Sequence, residues 1–212
     1  MVGAPYTSNT VESNPAETKS LEIIAYPHPT LRHESKPIKR VDKQLRAIIE
    51  EMFELMYDAK GIGLAANQVD LPLRLFVVNI NPDGDRREEQ VFINPVISRP
   101  TGTEEKEEGC LSLPGVYAPV RRPEKIHFNA FDLSGNEISG PMEGMMARVV
   151  QHETDHLDGV MFIDRLSETA LADIDAQVAE FETARASELK HGTAHDEETV
   201  RKRLAEVEAN YC

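Results

Sequence analysis

Cysteine is scarce in this chain of 212 residues: Cys110 and Cys212 are the two present, far apart and one of them at the very end. A disulfide framework is therefore not expected, and a chain of this length can bury a core without one. A reducing cytoplasm is the expected setting, which leaves either thiol free to act as a ligand. Long apolar runs are also missing. None approaches the roughly 20 residues that a membrane span requires, so no membrane insertion is expected. Positive charge is short as well, with 23 Lys and Arg against 37 Asp and Glu and a net charge of −14. The mean field repels DNA and anionic lipid and disfavours tight nonspecific attachment to either. Residues 1–20 hold one basic residue and no apolar segment, which argues against a secretory signal or an Arg-rich transit peptide. They read as a disordered leader. Neither an internal repeat nor a second core is visible.

What is present divides by periodicity. LEIIAYPHPTLRHESKPI is a set of short apolar pieces broken by prolines, which reads as strand and turn. Asp42 then stands as an N-cap, and Leu45, Ile48, Ile49, Met52, Phe53 and Met56 recur at helical spacing until Gly61, predicting a helix over residues 43 to 59. Between Leu71 and about Ile138 the pattern alternates instead: LRLFVVNI and VFINPVI flank NPDGD, a hairpin signal, so antiparallel sheet is expected. A second helix is expected to begin near Pro141, with Glu143 at its positive end and Met142, Met145, Val149, His152 and His156 on one stripe. A third follows Ser167, with Leu171, Ile174, Val178 and Phe181 facing the core. The last residues, HGTAHDEETVRKRLAEVEANYC, read as a mobile tail or a docking helix. The expected organisation is a leader at 1–20, a catalytic unit at 21–166 and a C-terminal helix with a charged tail at 167–212. The expected fold is α+β, with antiparallel sheets packed around a central helix that carries HExxH and with further helices in the N-terminal half and at the C-terminus.

The chemistry concentrates in QHETDHLDG, residues 151 to 159. Residues four apart on a helix lie one turn above each other, so His152 and His156 can converge on one ion. Glu153 then stands beside that ion on a neighbouring edge, where a general base belongs. Paired histidines can also be ordinary helix residues, so the third ligand decides. Gly159 fits an extended metal-protease pattern, but the position that should hold the next histidine is Phe162, which cannot bind. A carboxylate such as Glu168, Asp173 or Asp175 would suit a zinc endopeptidase, yet all three lie off the apolar stripe. Cys110, in EEGCLSLPG, would complete a His2Cys site with an open position, although a free cysteine can also be a small buried hydrophobe. In GIGLAANQV at 61–69, Gly61 and Gly63 permit close backbone approach and Gln68 offers an amide donor. A metal-stabilised binding protein is the non-enzymatic alternative.

Taken together, GIGLAANQ at 61–68, EGCLSLP at 108–114 and QHETDHLDG at 151–159 resemble the three signature motifs of the peptide deformylase family, in order and at spacing, from about Leu21 to Leu166. The resemblance implies that Cys110, His152 and His156 bind one divalent ion, Fe(II) in the first place and Zn(II), Ni(II) or Co(II) as substitutes. It implies that Glu153 is the general acid and base, and that the Gln68 amide and the Leu111 N–H face the developing oxyanion. It implies that Ile62, Gly63 and Gly109 pair with the peptide main chain and that Val149 lines a methionine pocket. The implied reaction removes the N-formyl group from the initiator methionine of new polypeptides and releases formate. Arg148 stands where many members carry an apolar pocket residue; its stem is expected to line the pocket while its head reaches water. Asp155 is read as a structural partner. His28, His33, His127, His191 and His195 are read as ordinary residues. VRKRL at 200–204 is a basic island, read as a solvated helix face with transient contact to the ribosome as the alternative.

Overall fold

Asp42 caps the first helix as its spacing implies, accepting the Leu45 N–H at 2.9 Å in a computed structural model that describes residues 20–84 and 88–212. The expected leader falls almost entirely outside the described residues. Helix α1 (Lys43–Asp58) buries Leu45, Ile49, Met52, Phe53 and Met56, and the Gly61 N–H closes its end on the Met56 carbonyl at 2.8 Å. The chain then enters β1 (Gly63–Ala65), a short buried strand within the GIGLAANQV stretch.

β1 pairs antiparallel with β2 (Leu75–Val78), which pairs with β3 (Gln90–Thr101) across the expected hairpin. The sheet continues through β6 (Lys125–Phe131) and β7 (Glu137–Glu143), in the order β1-β2-β3-β6-β7. A separate two-stranded hairpin joins β4 (Glu104–Cys110) to β5 (Leu113–Arg122). All strand pairs are antiparallel, and with the helices the fold is α+β. Phe76, Phe92 and Phe128 are fully buried with ring centroids 5.0 to 6.4 Å apart, and burial of each such side chain stabilises the sheet by about 1.5–3 kcal/mol.

Helix α2 (Gly144–Leu157) starts later than its sequence suggests. Pro141 is not its first turn: it lies in β7 opposite His127, on an edge strand where a missing N–H is tolerated. Met142 therefore packs on the sheet core from a strand, and Met145 is 49% exposed. From its true start α2 stands between the two sheets. Val149, Val150 and Leu157 pack on the five-stranded sheet, while Glu108 and Cys110 of the hairpin reach the opposite side of the helix.

Helix α3 (Glu168–His191) has the Ser167 hydroxyl as its cap and buries Ile174 and Val178, whereas Leu171 is exposed and Phe181 half-buried. The expected mobile tail or docking helix is a docked one. Helix α4 (Glu197–Tyr211), capped by Asp196, buries Val200, Leu204 and Tyr211. Among the described residues, no helix is long and apolar enough to cross a membrane.

Candidate metal centre

Helix α2 supplies two imidazoles one turn apart, with ring centroids 5.0 Å from each other. The Cys110 sulfur, 46 residues earlier at the end of β4, lies 3.2 Å from His156 Nε2. One ligand atom each from Cys110, His152 and His156 falls within 4.8 Å of the others, and among the described residues this is the one such cluster. Thiolate and imidazole are donors suited to Zn(II) or Fe(II), and three of them leave a position open. The residues therefore fit one divalent ion. Glu168, Asp173 and Asp175 are exposed on α3, so the endopeptidase arrangement finds no carboxylate ligand among them.

Glu108, the first residue of the EGCLSLP motif, has a role that the motif alone does not reveal. It lies two residues before Cys110 on a strand, so both side chains project to the same face. That alternation was the available signal. Its carboxylate accepts from His152 Nδ1 at 3.1 Å, from Arg122 Nε and Nη2 at 2.7 and 2.9 Å, and from Arg148 Nη1 at 2.6 Å. The bond to Nδ1 fixes the ring and leaves Nε2 as the atom with which His152 would hold an ion. Arg122 also donates to Asp155 at 2.7 Å, and Arg165 donates to both oxygens of the same carboxylate, so Asp155 joins two arginines as a structural partner.

Arg148 departs from expectation. Its head does not reach water but is buried, bonded to Glu108, to the Val120 carbonyl at 3.2 Å and to the Glu104 carbonyl at 2.9 Å. A guanidinium with this many acceptors is held in the interior rather than snorkelling. Val149, the neighbouring pocket candidate, is buried with its Cγ1 3.0 Å from where a Gly63 Cβ would stand.

The glycines of the first motif are explained by contact. A Cβ on Gly61 would meet Leu111 Cδ1 at 2.7 Å, and one on Gly63 would strike the Glu153 carboxylate. Gly109 lies under the exposed Tyr117 ring in the same way. Gly63→Ala is accordingly expected to displace Glu153 and lower kcat by about 100-fold while the bound metal stays at the parent level, since misplacement near 1 Å has that effect. Steady-state kinetics with metal analysis checks it, and a parent-like kcat would contradict the contact.

Gln68 is buried in the 3-10 turn Ala66–Val69, its oxygen held by the Ala65 N–H at 2.9 Å. Its amide nitrogen points to Cys110 Sγ at 3.4 Å and Ser112 Oγ at 3.3 Å. Leu111 follows the cysteine directly, and Ile62 is half-buried just before β1. The remaining histidines stand apart: His33 bonds Glu208, His28 lies near Asp70, His127 contacts Ser139, His191 bonds the Ser187 carbonyl, and the His195 carbonyl accepts from Arg185.

Burial pushes the Glu153 carboxyl up to about 7, against the lowering charges of His152 and Arg122. Among the described residues, the buried side-chain atoms without a hydrogen-bond partner are Glu153 Oε2 and His156 Nδ1, both on this stretch of α2. Burial pulls His156 well below the usual imidazole range, with the His152 charge acting in the same direction. For His152 burial also lowers the pKa, but bonds to Cys110 and Glu108 and the nearby Glu153 charge overcome it and raise the ring to about 10. The surroundings of His152 thus favour a cation, and proton and metal compete for the ring. At pH 6 to 8, below that pKa, an entering ion must displace the proton. Zn(II) affinity is expected to rise by about tenfold or more per pH unit across this range. Chelator competition measures it, and a flat profile would contradict the assignment.

A buried carboxylate beside a cysteine-and-histidine cluster able to hold a cation is an arrangement that metal-dependent hydrolases use. Comparison with known proteins makes the class specific. The family model described as polypeptide deformylase matches residues 20–171, and the chain belongs to that family of enzymes. A peptide deformylase from Rhodopirellula baltica is 51% identical over 191 residues, covering 90% of this chain and 95% of the relative. One from Brucella suis is 46% identical over 146 residues, covering 68% and 83% respectively. The solved structure of a Legionella pneumophila peptide deformylase superposes with a TM-score of 0.71 at 39% identity, covering 79% of this chain and 98% of that one. A Plasmodium falciparum peptide deformylase gives 0.76 at 32% identity, covering 83% and 100%.

Proposed function

We propose that residues 21–166 form a catalytic unit that hydrolyses the N-formyl group of new polypeptides beginning with formyl-methionine, releasing formate and a free α-amine. The convergence of Cys110, His152 and His156 beside a buried Glu153 with an unpartnered oxygen is the observation that supports this reading. Those three residues would hold one divalent ion, Fe(II) as the native one and Zn(II), Ni(II) or Co(II) as substitutes, which when bound supplies Lewis acidity to water and to the formyl carbonyl.

Glu153 takes a proton from the attacking water as its oxygen bonds to the formyl carbon. The carbonyl oxygen gains negative charge, and the Gln68 amide and Leu111 N–H donate to it. The C–N bond then breaks, and Glu153 returns its proton to the departing nitrogen. Glu108, clamped by Arg122 and Arg148, keeps the His152 ring oriented throughout. Ile62, Gly63 and Gly109 pair with the substrate main chain, the two glycines allowing another strand to approach. Val149 lines the methionine pocket, and the buried Arg148 is assigned to the clamp instead.

The setting is the cytoplasm, where such polypeptides are made, and a transient ribosome contact is proposed on the same ground. Of the basic island, Arg203 pairs with Asp70 and Lys202 with Glu198, leaving Arg201 as the freest charge. Cosedimentation of the parent and Arg201→Glu proteins with ribosomes tests that contact. The central reading is tested by anaerobic formate release from formyl-Met-Ala-Ser, with metal analysis of the same sample. Turnover scaling with bound metal is expected; metal-loaded protein without formate release would overturn it.

A further inference from the structure

Helix α4 lies beyond residues 20–171, the segment matched by the family model, yet it is tied to the turn that carries Gln68. The link runs through Asp70. This residue ends the turn in the left-handed region, at φ 65°, which non-glycine side chains adopt only at a cost. Its carboxylate accepts from the Thr30 hydroxyl, stands 3.8 Å from His28 Nδ1, and is ion-paired by Arg203 of α4.

The same helix grips the segment that wraps the other side of the turn. Glu208, 6% exposed, accepts from His33 Nε2 at 2.8 Å and Lys36 Nζ at 2.7 Å. The Lys39 N–H bonds the Tyr211 carbonyl at 2.8 Å, and Arg40 lies over the Tyr211 ring. From that segment Ser35 donates to Asn67 Oδ1 at 2.6 Å, and the Asn67 amide returns to the His33 carbonyl at 2.8 Å. Ile24 N–H closes on the Gln68 carbonyl at 2.8 Å. The side chains flanking Gln68 on either side, Asn67 and Asp70, and the Gln68 carbonyl itself are thus bonded to residues 24–35 or to α4, and α4 in turn holds His33, Lys36 and Lys39.

We propose that α4 braces the turn at residues 66–70, with Arg203 as a positioning residue that acts through Asp70 to keep the Gln68 amide aimed at the reacting oxygen. The catalytic half of this proposal rests on the role given to Gln68 above; the mechanical half does not. Arg203 touches no reacting atom, so its removal should loosen the turn and lower turnover without releasing the metal.

The test uses full-length Arg203→Ala and Arg203→Lys, with Lys202→Ala as a control for an exposed pair on the same helix and Gln68→Ala measured in parallel. Readouts are amide hydrogen exchange of residues 66–70, kcat and KM for formate release, and metal content. A partly exposed ion pair corresponds to at most about a fivefold effect. Arg203→Ala is expected to speed exchange in the turn by about that factor and to lower kcat about two- to fivefold with KM and metal unchanged. Arg203→Lys should recover most of both, and Lys202→Ala should match the parent. Unchanged exchange in Arg203→Ala overturns the brace, whatever Gln68 does. Faster exchange with unchanged kcat, where Gln68→Ala is impaired, overturns the positioning role alone. A parent-like kcat in Gln68→Ala overturns the oxyanion reading of Gln68 and the catalytic half of this proposal with it.

Discussion

Glu153→Gln is expected to keep its metal and its fold while losing about 10²- to 10⁴-fold in kcat, the range that a positioned general acid and base contributes. The substitution preserves shape and removes the capacity for the proton transfer that the proposed mechanism gives to Glu153. Glu153 is 4% exposed, its Oε2 finds no hydrogen-bond partner, and burial lifts its pKa to about 7. A carboxylate in that state costs stability to keep, so the neutral amide should leave the melting temperature equal or raise it. Loss of activity with unchanged or higher stability is the signature sought. Formate release, metal analysis and thermal unfolding on one preparation read all three. Retained turnover would remove Glu153 from the proton path.

Cys110→Ser is expected to act one step earlier, on the ion itself. With the sulfur gone, His152 and His156 would remain as the two side chains of the cluster able to hold the ion. Substitution of groups that merely orient a ligand typically weakens metal affinity by about 10- to 100-fold, so loss of a direct ligand should exceed about 100-fold. Cys110→Asp restores an anionic donor and should fall between the parent and the serine variant. Metal per chain after dialysis against a chelator gives the result directly, and in a cobalt-loaded sample the sulfur-to-metal absorption should vanish. A serine variant that retains the ion as the parent does would exclude Cys110 as a ligand. Neither Glu153 nor Cys110 is a partner in the clamp on Glu108 from Arg122 and Arg148, and thermal unfolding of each variant separates lost folding from either outcome.

Much of this site was readable because its features are local. Spacing of four residues on α2 brings His152 and His156 together, and the intervening Glu153 follows from the same geometry. The N-cap and apolar spacing of α1 are equally local, and its observed boundaries lie within one residue of those expected. The start of α2 is not local in this way: Pro141 suits a helix's first turn and an edge strand alike, and pairing with β6 decides between them. Arg148 shows the same ambiguity in a side chain. A long stem can snorkel to water or bury its head, and the choice depends on whether acceptors such as Glu108 and the Glu104 and Val120 carbonyls wait inside.

By itself the sequence determined the helical pairing of two imidazoles with a base, the α+β pattern and, through three motifs, the family. Only the tertiary structure decided that the Cys110 sulfur meets His156, that Glu108 is gripped by two arginines, and that Arg203 reaches back to Asp70. The physical reason is distance along the chain. Helical and strand periodicities fix neighbours within a few residues, whereas contacts between remote segments depend on how whole layers pack and on which buried polar groups find partners.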